Sequence, residues 1–117
     1  MRRDPRAYIW DAREATTRIA EFIAGANEPD YHANALMRSA VERQLEILGE
    51  ALGQLEKADP ALAQAVPQLR SAVDLRNLLI HGYAKVDDRI IWNTACRDVP
   101  AMAKDLDRLL NQLTRPD

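Results

Sequence analysis

Three side chains able to bind anions or move protons fall within six residues: Arg76, Asn77 and His81. Histidine can serve as a base and, once protonated, as an acid near neutral pH. Arginine is a planar, bidentate binder of phosphate. Asn77 and His81 are four apart, so on a helix they share a face and the amide is placed to set the imidazole tautomer. Asp74 lines the same side. Arg76 lies roughly 140° from His81 on a regular helix. The two converge only if the arginine curls round or the last turn loosens, which Gly82 makes easy. Tyr83 follows with a phenolic oxygen close by. Each residue also has an ordinary reading. A histidine in a last turn caps free carbonyls, and a tyrosine at a helix end packs. Leu69, Ala72, Val73, Leu75, Leu79 and Ile80 make an apolar arc that contains Arg76. An arginine there must be paired, reach an interface, point into a cleft or snorkel outward. His32 carries no assigned role.

The elements that hold these residues read as helices. Asp4 and Pro5 suit an N-cap and a first helical position, and the apolar period predicts helix one from Pro5 to Ala24. A second helix is predicted over Tyr31–Lys57, with Glu42, Glu46 and Glu50 opposite its apolar half. Gln44 sits near the centre of that half, where a buried amide needs partners at both ends; a helix-crossing hydrogen bond and a ligand contact are both open. A short helix is predicted over Ala61–Ala65 and helix three over Gln68–His81. The last runs from Asp87 or Asp88 to Leu113. Pro100 lies inside it, yet Ile91, Ala95, Val99, Met102, Leu106, Leu109 and Leu113 keep one phase, which predicts a kink near Val99 rather than a break. The expectation is an all-α, up-and-down four-helix bundle in one domain.

Composition agrees. The 117 residues are one domain's worth, and 47% are hydrophobic. Nineteen are Ala and 14 Leu, against 12 Val plus Ile and 5% aromatics, which favours helix over strand. No apolar run approaches the ~18 residues of a membrane span. No secretory signal opens the chain, so a cytoplasmic location is the default expectation. The single cysteine, Cys96, excludes an internal disulfide and a cysteine-based zinc site. No carboxylate pair or His/Cys cluster accompanies His81, so neither a metal nor a cofactor is expected. A net charge of −2 argues against bulk coating of nucleic acid. Thirteen of the 16 basic residues are Arg, which is either phosphate chemistry or the mark of a GC-rich genome.

Read as one string, Arg76-Asn77-Leu78-Leu79-Ile80-His81-Gly82-Tyr83 resembles the RN-x3-H-x-Y signature of the HepT-like branch of the HEPN superfamily. Leu45-Glu46-Ile47-Leu48-Gly49-Glu50-Ala51 resembles that family's second-helix segment. Val86-Asp87-Asp88-Arg89-Ile90-Ile91-Trp92 and Asp98-Val99-Pro100 resemble the opening of its last helix. The four segments fall in order between residues 45 and 100, and the resemblance covers nearly the whole chain.

The resemblance implies a homodimeric endoribonuclease toxin of a type VII-like toxin–antitoxin system, independent of metal. Two copies of the motif would face each other across a cleft, helix three and the last helix lying towards the two-fold axis. Arg76 and His81 are then catalytic, with Asn77 and Asp74 in support. Tyr83 becomes the acceptor for adenylylation by a partner similar to the MntA nucleotidyltransferase. RNA contacts are expected from Arg70, Lys85 and Arg89 beside Arg76, with solvated helix-start charges as the equal alternative for Lys85 and Arg89. The competing reading is a non-catalytic helical subunit that binds a nucleotide or presents substrate to a nucleotidyltransferase.

Overall fold

The computed structural model describes residues 3–82 and 86–114. Asp4 caps α1 (Pro5–Ile23) through its carboxylate, which accepts from the Arg6 N–H, and the Arg6 guanidinium holds that carboxyl at about 2. α2 (Glu28–Ala33) opens with a reciprocal capping box between Asn27 and Asp30. α3 (Ala35–Ala58) is the longest element, α4 (Pro60–Ala63) is a single turn, and α5 (Leu69–His81) carries the candidate chemistry. α6 (Asp88–Asn93), a π-helical turn (Thr94–Asp98) and α7 (Val99–Thr114) follow one another without interruption. The described residues contain helices and connections alone, and the result is a helical bundle.

α3 forms the spine. It packs against α1 on one side and α5 on the other, while α7 packs against α1. The apolar faces meet in one cluster that includes Ile9, Ile19, Leu48, Leu52, Leu55, Ile91, Met102 and Leu106, each almost wholly excluded from solvent. Each such side chain contributes about 1.5–3 kcal/mol of transfer free energy. Arg13 adds a polar tie between α1 and α7, its Nε 2.6 Å from Asp107 Oδ1.

The sequence departs from the structure at the second helix. A continuous helix from Tyr31 was expected, but Asn34 leaves helical geometry (φ −111°, ψ 97°) and its side chain accepts from the Met37 N–H. Asn34 thus ends α2 and caps α3, and Tyr31 belongs to the shorter helix. An asparagine offers the backbone a side-chain alternative to the helical hydrogen bond, which is the chemistry of a cap. The separate α2 turns Tyr31 inward, where its ring lies 5.4 Å from that of Trp92 and its hydroxyl is buried with no partner among the described residues.

Where the sequence predicts a kink near Val99, the last helix changes type just before its proline. The Val99 N–H reaches back to the Thr94 carbonyl, one residue further than in an α-helix. Pro100 has no N–H to give, and the widened turn just before it absorbs that loss. The apolar seam continues into α7, with Ala95, Val99 and Met102 buried.

Candidate active site

α5 lies close to α3 because Gly49 has no side chain. A β-carbon built at Gly49 would stand 2.3 Å from Arg76 Cβ and 2.8 Å from the Ala72 carbonyl oxygen. The stem of Arg76 therefore rests directly on the α3 backbone. One residue on, Glu50 meets the guanidinium, with Oε2 2.7 Å from Arg76 Nη2. The other carboxylate oxygen of Glu50 accepts from Gln54 Nε2 at 3.1 Å. On the far side Arg76 Nη1 donates to Asn77 Oδ1 at 2.9 Å. Gln54, Glu50, Arg76 and Asn77 form one polar chain, two hydrogen bonds joined by the Arg76–Glu50 ion pair, which restrains the fork.

The apolar arc around Arg76 is explained by this arrangement. Its side chain is 28% exposed, paired on one edge and open to a groove on the other. The groove runs between α1, α3 and α5 and has a volume of about 680 Å³. Tyr8, Ala15, Ile47 and Ala51 supply apolar wall. On the α1 side Arg3 pairs with Asp11 and Arg18 with Glu14; on the α3 side Arg43 pairs with Glu46. Gln44 also lines the groove and makes no hydrogen bond among the described residues.

His81 ends α5 and is exposed. The helix stays regular up to it. Gly82 then takes left-handed geometry (φ 63°), its N–H donating to the Leu78 carbonyl. The imidazole and the guanidinium thus leave one short helix at different angles, both reachable from solvent. The spacing predicted Asn77 as the partner of the imidazole; the structure directs the Asn77 oxygen to Arg76.

The remaining predicted residues separate. Asp74 is exposed and faces Arg70, with 3.9 Å between Oδ1 and Nη1. Arg70 is also paired with Glu56, so both sit in a surface network apart from the chain around Arg76. Arg89, at the start of α6, contacts Asp87 at 3.3 Å and is largely exposed. The Arg89 N–H and guanidinium together lower the Asp87 carboxyl below its ordinary range. Tyr83 and Lys85 lie outside the described residues.

Sequence reasoning gave no role to two residues of the site itself, Gly49 and Glu50, although both stand in the segment that resembles the family's second helix. Glu50 was assigned to the solvent half of its helix, and it is exposed. Its role depends on α5 crossing at Gly49, which no spacing within α3 reveals. Among the described residues no group of three or more His, Cys, Asp or Glu is placed to hold a metal ion. No described helix is long and apolar enough to cross a membrane.

Comparison with known proteins gives a consistent picture. The profile of the family described as "Ribonuclease HepT-like" matches residues 12–109. The chain is 32% identical over 106 residues to a protein of Methanocaldococcus jannaschii named as a "Putative RNase", covering 91% of this chain and 96% of that one. It is 32% identical over 109 residues to the "Probable ribonuclease HepT" of Thermococcus cleftensis, covering 93% and 98%. A relative from Caldanaerobacter subterraneus, also named as a "Putative RNase", is 30% identical over 108 residues, covering 92% and 96%. No solved structure matches the chain.

Proposed function

The chain belongs to the HepT-like ribonuclease family of the HEPN superfamily, and on that premise we propose that it is an endoribonuclease that cleaves RNA without a metal ion. The observation that carries the reading is Arg76. An arginine on an apolar arc is held rigid by Glu50 and Asn77, faces an open groove, and shares its helix with an exposed histidine.

The chemistry follows from the residue types. RNA contains its own nucleophile, the ribose 2′-hydroxyl. His81 removes that proton as the oxygen attacks the adjacent phosphorus. The guanidinium of Arg76 stabilises the extra negative charge on the phosphoryl oxygens. The bond to the 5′-oxygen breaks, leaving a 2′,3′-cyclic phosphate and a free 5′-hydroxyl once that oxygen is protonated. A single motif supplies one imidazole, whereas a two-fold dimer supplies both base and acid. The dimer we propose joins the outer face of α5 and the start of α6, where Leu78 is 48% and Ile90 56% exposed. Leu78 and Ile90 share one shallow groove with Leu75 and Met102.

Regulation is proposed on the same basis. The chain acts as the toxin of a type VII-like toxin–antitoxin pair, and an MntA-like nucleotidyltransferase silences it by transferring AMP to Tyr83. A phosphodiester and a purine two residues from His81 block the approach of RNA and compete for the arginine fork. The expected location is the cytoplasm, where the RNA is.

The test uses purified protein, RNA and excess EDTA. The wild type is expected to cut, and His81→Ala to lose at least a hundredfold of the rate, in line with the roughly 10²–10⁴-fold contribution of a general base. Equal cutting by His81→Ala overturns the assignment. Binding of nucleotide without any cutting by the wild type favours the non-catalytic subunit instead. Co-expression with the nucleotidyltransferase, followed by peptide mass analysis, tests Tyr83.

A further inference from the structure

We infer that Gln44 recognises the nucleobase next to the scissile phosphate, so that the groove between α1, α3 and α5 is a nucleotide subsite with its phosphate end at Arg76. The inference rests on the ribonuclease reading and adds to it a source of sequence preference.

The argument begins with what the groove leaves unsatisfied. Its eight charged side chains are matched in four ion pairs, each with both members in the lining. Gln54 is satisfied by Glu50. Gln44 stands apart, with a half-buried amide and no hydrogen bond among the described residues. A primary amide carries an acceptor oxygen and a two-proton donor side by side. The hydrogen-bonding edge of a nucleobase carries the same kinds of group, and glutamine reads bases by bidentate pairing of this type.

Placement supports the match. Gln44, Ile47 and Ala51 fall on one face of α3, so the amide is flanked by apolar surface onto which a planar base can lie. Glu50, which holds Arg76, is six residues further along α3. At 1.5 Å per residue that is about 9 Å of axial rise, comparable to the reach from a phosphate to the outer edge of its own base. The groove volume of about 680 Å³ lies within the range of small-ligand sites. An apolar side chain at position 44 would have completed the seam of α3; the amide gives up that packing and gains a donor and an acceptor in an open groove.

The experiment digests a randomised RNA pool with the wild type, Gln44→Leu and Gln44→Glu, each checked for helical content, and sequences the new ends. The wild type is expected to enrich one base beside the cut by about fivefold or more, the lower end of what one bidentate pair discriminates. Gln44→Leu is expected to flatten that bias while still cutting the pool. Gln44→Glu, which offers acceptors alone, is expected to shift it towards bases with an exocyclic amino group. An unbiased wild type, or an unchanged bias in Gln44→Leu, overturns the inference. If the wild type does not cut, the ribonuclease reading fails, and a second measurement decides the subsite independently. Titration of ¹⁵N-labelled protein with AMP, CMP, GMP and UMP should move the side-chain amide resonances of Gln44; no movement with any of the four overturns it.

Discussion

At the scale of single residues, an arginine that stabilises a transition state must be aimed before substrate arrives, because orienting five donors afterwards costs entropy at the moment of reaction. In the proposed site Glu50 does the aiming. Glu50→Gln keeps the shape but loses the charge opposite Arg76. We expect RNA cleavage to fall by about tenfold to a hundredfold, the scale of a small misplacement. The pair is partly exposed, so the urea midpoint should move by no more than about 0.5–1 kcal/mol of stability. A matched loss of stability and rate would make Glu50 structural instead. Tyr31 sets a different kind of test. Burial raises its phenol well above the usual tyrosine range. The neutral form is therefore the one the fold accepts. This contribution is complete below the unfolded value near 10 and is lost as pH climbs through the folded one. Tyr31→Phe removes a buried hydroxyl that has no partner among the described residues. It should raise stability by about 1 kcal/mol at neutral pH and flatten the decline above pH 10, both readable by urea unfolding. What was legible from the sequence is the anomaly of pattern at Arg76 and His81, an arginine on an apolar arc and a terminal-turn histidine; their catalytic roles stand as proposed. Glu50 was not legible, because a glutamate on an exposed face looks the same whether or not a neighbouring helix brings it a guanidinium.

At the scale of elements, the site depends on one backbone crossing. Gly49→Ala places a methyl within 2.3 Å of Arg76 Cβ, and α5 must shift to admit it. Overpacking of this kind costs about 1–3 kcal/mol. The displaced guanidinium should lower cleavage further than the stability loss explains. Gly53→Ala serves as the control, because its nearest neighbour, Val73 Cγ2, would be 3.9 Å away. The helices themselves were largely readable. Period and caps locate α1, α3 and α5 to within a few residues, apart from the start of α3. That error came from Asn34, which divides the helix through its own side chain while the apolar period around it continues. The π-helical turn has a trace in the spacing. Ile91, Ala95 and Val99 are successive four-residue steps. Each step overshoots a regular α-helix by about 40°. A wider turn takes up that drift, so the residues predicted to keep phase do so through a change of helix type.

At the scale of the whole molecule, the proposed assembly makes the last prediction. Leu78→Asp sets two carboxylates against each other across an apolar two-fold contact. It should convert a dimer to a monomer in sedimentation velocity and abolish cleavage, while the isolated fold, which exposes Leu78 already, stays intact. A monomeric wild type that still cuts RNA would remove the need for a composite site. The groove beside Arg76 has a further consequence for how this molecule meets a polyanion. Its four arginines are already neutralised by four carboxylates of the same chain. In effect the groove brings its own counterions. Binding there releases few mobile cations, so salt should weaken it only shallowly. On the proposed reading, encounter owes little to long-range attraction, and RNA would be admitted to the groove by fit at close range.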